Sequence, residues 1–198
     1  MAAASALFAA KGVESVTMAQ IAERAGLQQS SIYYWFRSKS DVLASILERV
    51  NRIPLAIVEH QRRAEGPVPV RLYRLVREDV LALCAFPFDI NEIHRLALRS
   101  RDELAGYWEE RDRLDDEVAA LVTEGVADGS LRPVDARLAA RTLLAADEAT
   151  QNWFRSDPDG YEPASVAEHQ AEVTLRSLLA DPAAFATIRD EALASAGR

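Results

Sequence analysis

The chain has 198 residues, 49% of them hydrophobic, so it is long enough to bury a core without disulfides or a structural metal. Its single cysteine, Cys84, excludes an intrachain disulfide and favours a reducing compartment, so we expect a soluble cytoplasmic protein. The net charge of −8 excludes a uniformly basic nucleic-acid-binding protein, and no apolar run is long enough to span a bilayer.

The charge is divided unevenly along the chain. Residues 1–52 contain six basic and four acidic residues, a net charge of +2, whereas residues 53–198 contain 17 basic and 27 acidic residues, a net charge of −10. DNA would attract the weakly positive end and repel the acidic body, which orients an encounter. Because +2 is modest, we expect useful DNA affinity to depend on dimerisation, with a shallow salt dependence.

Residues 17–43 hold two short helical patterns joined by a glycine turn. Thr17 is placed to cap the first pattern, with Gln20 three residues later as its capping-box partner. Gly26 follows where that helix must end, because a residue without a Cβ takes the left-handed conformation cheaply. Leu27 is expected to return to the core. This spacing predicts a helix-turn-helix.

The second pattern, residues 28–36, puts Ile32 and Phe36 on one side and a polar cluster elsewhere. Glutamine can bond two positions of adenine, serine can donate or accept at most base edges, and tyrosine hydroxyls can reach phosphates. Lys39, just beyond, is placed to hold the DNA backbone without reading sequence. The residues predicted to contact DNA are Thr17, Gln28, Gln29, Ser30, Ser31, Tyr33, Tyr34 and Lys39.

An ordered set of residues extends this pattern from the first helix to the fourth. The set comprises Leu7, Phe8, Lys11, Gly12, Thr17, Ile21, Ala22, Ala25, Gly26, Leu27, Ile32, Tyr33, Phe36, Ser38, Lys39, Val42 and Leu43. Over residues 3–47 the chain thereby resembles the tetracycline-repressor-like (TetR) family of bacterial transcription regulators. The resemblance implies an all-α fold of about nine or ten helices, with a helix-turn-helix domain at 1–47 and a ligand-binding and dimerisation domain at 48–198.

The chain departs from the family pattern at two places. No basic residue precedes Lys11, where many family members carry a basic arm. Either an arm is missing from this version of the chain, or its grip on DNA is weaker than usual. Gln28 stands where a better N-cap is common, so it is interpreted as a DNA contact.

The rest of the sequence alternates helical patterns with turns rich in glycine and proline, and no stretch reads as a strand. The predicted helices are 41–63, kinked or interrupted at Pro54, then 70–85, 90–106, 107–127, 134–156 and 163–179, with a short tail helix after Asp181. Small residues on the helices at 134–156 and 163–179 permit close packing. Those stripes fit either a bundle with a second copy or packing within one monomer; the family resemblance implies the homodimer.

No combination of residues supports catalysis. His60, His94 and His169 lack the spacing of a zinc site, and Cys84 lies in an apolar stretch without the nearby positive charge that activates a thiol. We therefore expect no enzyme activity, no metal and no cofactor.

More than a hundred residues follow the helix-turn-helix, far more than reading DNA requires. In the family this part encloses a small molecule whose binding alters the separation of two DNA-reading heads. Aromatic or polar groups on otherwise apolar helices are pocket candidates, although such residues more often belong to a core. They are Tyr73, Phe86, Phe88, His94, Tyr107, Trp108, Asn152 and Trp153. As a group they favour a largely apolar or aromatic effector.

These features lead to one leading hypothesis and one alternative. The first is a ligand-responsive repressor that binds a near-palindromic double-stranded DNA operator as a homodimer and is released by a small, largely apolar effector. The alternative is a small-molecule-binding or protein-interaction module with a weak or vestigial DNA reader. Equal weak affinity for every duplex would favour the alternative.

Overall fold

The computed structural model of the chain describes residues 1–99, 104–156 and 160–194. In chain order the helices are α1 (Ala2–Lys11), α2 (Met18–Arg24), α3 (Gln29–Trp35), α4 (Lys39–Arg63), α5 (Val68–Ala85), α6 (Ile90–Arg99), α7 (Ala105–Ala127), α8 (Ala136–Phe154), α9 (Pro163–Leu178) and α10 (Phe185–Ala194), with a 3-10 turn at Pro182–Ala184. The predicted all-α fold class is confirmed by the ten helices of the described part. Within these ranges, no helix is long and apolar enough to cross a membrane.

The helix bounds follow the hydrophobic pattern of the sequence to within a few residues. α5 begins two residues earlier than predicted, because Pro69 is tolerated in a first turn, where the amide has no helical partner. α4 continues through Pro54 without a break. The helix predicted at 90–106 corresponds to α6 and the start of α7, and its residues 100–103 lie outside the described ranges.

The chain divides into two compact units. The first unit is Met1–Arg52 together with Phe86–Glu109, and the second unit is Ile53–Ala85 together with Glu110–Arg198. α6 and the first residues of α7 therefore belong with the N-terminal helices, although many residues separate them in sequence. The division into domains at 1–47 and 48–198 stays a prediction.

In the first unit, the N-terminal helices enclose an apolar core. Phe8 of α1, Ile21 of α2, Ile32 of α3 and Ile46 of α4 are all buried. α6 packs against α1 and contributes the buried Ile93. Each short helix thus buries an apolar stripe that it could not shield alone, which holds α2 and α3 in place.

In the second unit, α5 is the central helix and packs against α8, α9 and α10. The side-chain amide of Gln151 on α8 donates to the carbonyl of Leu83 on α5 at 2.9 Å. At the other end of α5, Nε of Arg74 donates to the carbonyl of Ala192 on α10 at 3.1 Å. These hydrogen bonds hold the helices around a core of mostly aliphatic side chains.

Candidate DNA interface and ligand pocket

A capping box sets the start of α2. The hydroxyl Oγ1 of Thr17 accepts a hydrogen bond from the amide of Gln20 at 3.2 Å, and Oε1 of Gln20 accepts one from the amide of Thr17 at 2.9 Å. Both amides would otherwise lack partners at the helix start. The capping box predicted from the sequence is confirmed.

A glycine turn closes α2 and leads into α3. Gly26 has a φ of 67°, and the amides of Gly26 and Leu27 donate to the carbonyls of Glu23 and Ala22. This pair of hydrogen bonds is a Schellman ending, for which glycine is the favoured residue. Leu27 is 50% exposed, so the prediction that it returns to the core is wrong. The turn is closed by its backbone and leaves this side chain at the surface.

α3 has a polar side that faces solvent and an apolar side that packs into the first unit. Ile32 is buried and Phe36 is half-buried, whereas the side chains on the outer side are in solvent. Tyr33 is 47% exposed and Tyr34 is 80% exposed. The other α3 residues predicted to contact DNA, which are Gln28 at the N-cap and Gln29, Ser30 and Ser31 in the first turn, are exposed as well. All six side chains are accessible to a ligand.

Trp35 is an exposed aromatic residue that sequence reasoning missed. Its side chain is 74% exposed and packs edge-on against Tyr34, with ring centroids 5.0 Å apart. An indole offers both an apolar ring and an N–H donor, a combination suited to the sugar-phosphate backbone. The available signal was helical register, because Trp35 lies four residues after Ser31 and so on the same side of α3.

The ammonium of Lys39 is engaged inside the first unit. Its Nζ donates to the carbonyl of Val13 at 2.8 Å and to the carbonyl of Glu14 at 3.0 Å, in the link between α1 and α2. An ammonium has three donors, so one remains for another acceptor. In the structure, Lys39 links the start of α4 to the segment between α1 and α2, and its contact with DNA stays a prediction.

Five of the eight pocket candidates lie in the first unit. The rings of Phe86 and Phe88 meet edge-on at 5.1 Å where α5 leads to α6. Between α6 and α7, the hydroxyl of Tyr107 lies 2.6 Å from Nδ1 of His94. The ring of Trp108 stands edge-on to Tyr107 at 5.2 Å. The first unit thus contains two groups of aromatic residues, and the second group includes one polar pair.

The other three candidates lie in the second unit, Tyr73 on α5 and the neighbouring residues Asn152 and Trp153 on α8. Tyr73 is buried on α5 against Phe185 of α10, with ring centroids 6.1 Å apart. Trp153 packs edge-on against Tyr161 at 6.1 Å and is 45% exposed, and Asn152 is exposed. The structure therefore does not bring the eight residues into one group within either unit, and their role in binding a ligand stays a prediction.

One face of α8 and α9 carries large apolar side chains in solvent. This α8–α9 face is defined by Leu138, Trp153, Tyr161 and Val173, each about half exposed or more. A cavity of about 530 Å³ opens beside Leu138 and Val173, and another of about 550 Å³ opens beside Trp153 and Tyr161; Gln170 lines both. Exposed apolar groups that follow one another along a surface mark a place of interaction.

Two further observations bear on reactivity. Burial raises the pKa of the Cys84 thiol, which lowers the fraction of nucleophilic thiolate at neutral pH. In the described ranges, no three His, Cys, Asp or Glu side chains are grouped as a metal site would require.

Comparisons with known proteins agree with the geometry of the DNA reader. The family model "Bacterial regulatory proteins, tetR family" matches residues 1–46, and "Tetracyclin repressor-like, C-terminal domain" matches residues 71–178. The fatty acid metabolism regulator protein of Bacillus subtilis is 24% identical over 166 residues, covering 78% of this chain and 81% of that protein.

Solved structures show the same fold. The TetR family transcriptional regulator PfmR from Thermus thermophilus has 25% identity and a TM-score of 0.72, covering 88% of this chain and 97% of that one. The ketosteroid transcriptional regulator KstR2 of Mycobacterium tuberculosis has 21% identity and a TM-score of 0.73, covering 89% and 91%. The relatives are named as regulators, not enzymes, and TetR regulators bind DNA and act as dimers with small-molecule effectors. The chain belongs to the TetR family of bacterial transcription regulators, and residues 1–46 carry its helix-turn-helix.

Proposed function

We propose that this chain is a homodimeric repressor that binds a near-palindromic operator and is released by a small, largely apolar effector. The observation that supports it is the exposed outer surface of α3, held in place by the buried Ile32. A helix presented in this way can enter the major groove. Gln29 and Ser31 would then reach base edges, while Tyr33 reaches a phosphate.

The α8–α9 face is the proposed dimer interface. A second copy placed on it would shield Leu138, Val173 and the neighbouring aromatic rings and complete a four-helix bundle. The α3 helices of the two subunits, placed about 34 Å apart, could then enter successive major grooves on one side of a duplex. Pairing also compensates for the weak positive charge of residues 1–52, because the phosphate contacts of both readers contribute to affinity.

An apolar effector is proposed from the aromatic residues at the α5–α6 link and between α6 and α7. Phe86, Phe88 and Tyr107 are buried there and could line a site that excludes water. The Bacillus subtilis relative is a fatty acid metabolism regulator, so acyl compounds are the first class to test. This role fits a cytoplasmic location.

The DNA assignment is tested on an operator selected from random duplexes. Tyr33→Ala should weaken operator binding by a factor of about 10 or more, and Tyr33→Phe should show how much of that loss belongs to the hydroxyl. Gln29→Ala should relax preference at one base position by about 10-fold, as expected for loss of a bidentate contact. Thr187→Ala, an exposed substitution on α10, is the control and should bind like the unaltered chain.

Fluorescence anisotropy measures these affinities, while light scattering checks that each variant keeps its oligomeric state. Unchanged operator affinity in Tyr33→Ala would contradict the proposal. Equal weak binding of the unaltered chain to every duplex would favour the small-molecule-binding or protein-interaction module instead. Release is tested by adding acyl compounds of increasing length to the preformed complex.

A further inference from the structure

The interior of the second unit contains two carboxyl groups on facing helices. Asp79 of α5 is 4% exposed and Asp147 of α8 is fully buried. Neither oxygen of Asp147 has a hydrogen-bond partner within 3.5 Å, although the side chain of Gln170 on α9 lies close enough to oppose the rise in its pKa. An ionised carboxylate held in this way is very costly, so a buried acid without a counter-charge retains a proton instead.

The charged groups around the pair do not supply that counter-charge. Arg111 of α7 is the basic group that acts on Asp79, and it already forms an ion pair with Glu148 of α8. Gln170, from α9, is uncharged. α10 packs at the other end of α5, beside Tyr73. In the described part of the chain, neither carboxyl forms an ion pair with a basic side chain.

Burial and mutual repulsion act in the same direction on both acids. Burial, and then the charge of Glu148, raise the pKa of Asp79 to about 7 against the opposing effect of Arg111. Burial, and then the charge of Asp79, raise the pKa of Asp147 well above its ordinary value. Since ionisation of one disfavours ionisation of the other, the two titrate as a pair.

We propose that Asp79 and Asp147 form a proton-binding site inside the second unit, which holds a proton where exposed aspartates are ionised and releases it as the pH rises. Deprotonation would place like charges on α5 and α8 and weaken the contact between these helices, which the hydrogen bond from Gln151 to Leu83 also maintains. Neither acid belongs to the helix-turn-helix, so protonation of the pair can be measured without DNA.

The sign of the effect follows from proton counting. In the folded chain the acids hold protons above pH 4, whereas an unfolded aspartate ionises at a pKa of about 4. Stability from this site is therefore fully present below about pH 4 and is lost as the pH rises through the folded-state pKa near 7. The unfolding temperature should fall between about pH 5 and pH 7 through Asp79, and the raised pKa of Asp147 extends this fall to higher pH.

The first test compares thermal unfolding of the full-length chain and Asp147→Asn between about pH 5 and pH 9. The amide mimics the uncharged acid, so the variant should lose the part of this fall that comes from Asp147, keep the part that comes from Asp79, and melt at least about 3 °C above the unaltered chain near pH 8.5. Asp112→Asn, an exposed change on α7, is the matched control and should follow the unaltered chain at every pH. Parallel curves for Asp147→Asn and the unaltered chain would overturn the proposal.

A second measurement needs no folded variant. Infrared difference spectra of the unaltered chain should show the C=O stretch of a protonated, buried carboxylic acid at neutral pH, and this band should weaken as the pH is raised. Absence of the band at neutral pH would overturn the proposal. The proposal would also be overturned if, near pH 8.5, ammonium chloride raised the unfolding temperature of the unaltered chain more than the same concentration of sodium chloride did, and if Asp147→Asn showed no such difference. The pair would then bind a cation in place of a proton.

Discussion

Two residues of the first unit that were predicted to contact DNA also hold the protein together. Thr17 caps α2, and Lys39 ties the start of α4 to the link after α1. The role of Thr17 could be predicted because its partner, Gln20, is three residues away. The carbonyls that Lys39 meets belong to Val13 and Glu14, and only the closure of the unit brings them together. Sequence spacing carries no sign of such a contact.

Lys39→Ala should therefore lower stability even without DNA. Loss of hydrogen bonds from a charged donor costs about 1.5–3 kcal/mol, or a fall in unfolding temperature of several degrees. Arg37→Ala is the matched control, because it removes the same charge nearby while Arg37 engages Asp41 through its backbone amide alone. Calorimetry of both variants checks this.

Equal unfolding temperatures for the two variants would contradict the tying role of Lys39. If Lys39 also reaches a phosphate, its loss should in addition reduce the salt dependence of operator binding by about one counterion.

At the scale of helices, the periodicity of apolar residues predicted where each helix lies in the sequence. It did not predict which helices pack against one another. The bounds of α8 and α9 were found to within about two residues, because helical spacing is a local property. That α6 packs against α1, and that Asp79 faces Asp147, are consequences of tertiary packing. For the same reason the eight pocket candidates, chosen by residue type, do not form one group within either unit.

α7 offers a direct test of helix packing, since its two glycines differ in their surroundings. A Cβ added at Gly125 would lie 2.6 Å from Cδ1 of Leu131 and 2.9 Å from Cγ1 of Val68, whereas one at Gly106 meets no described atom within 4 Å. Gly125→Ala should destabilise the chain by about 1–3 kcal/mol through overpacking. Gly106→Ala should instead stabilise it by about 0.5–1 kcal/mol, since alanine favours the helix.

Denaturant unfolding of the two glycine variants measures the difference. A stabilising effect of Gly125→Ala would show that α7 can move away from the loop at Leu131, contrary to the close approach in the structure.

At the scale of the whole molecule, the α8–α9 face predicts how the chain assembles. Leu138→Glu should leave folding nearly unchanged, because this side chain is exposed in the single chain, yet it should prevent dimer formation and weaken operator binding. Leu98→Glu changes a similarly exposed leucine on α6; this control variant should remain dimeric. Sedimentation of both variants at micromolar concentration tests this.

A Leu138→Glu variant that stays dimeric would place the interface elsewhere. A monomeric unaltered chain would contradict the homodimer itself.

The proline in α4 has a mechanical consequence. Pro54 lacks an amide hydrogen, so the carbonyl of Val50 is without its usual helical donor although the helix continues. A helix that lacks one backbone hydrogen bond bends most readily at that position. In α4 the missing hydrogen bond lies where the helix passes from the first unit, ending at Arg52, to the second, beginning at Ile53. α4 is therefore expected to bend more easily at Pro54 than elsewhere along its length. Bending α4 at this place therefore meets a smaller elastic resistance than bending an unbroken helix would.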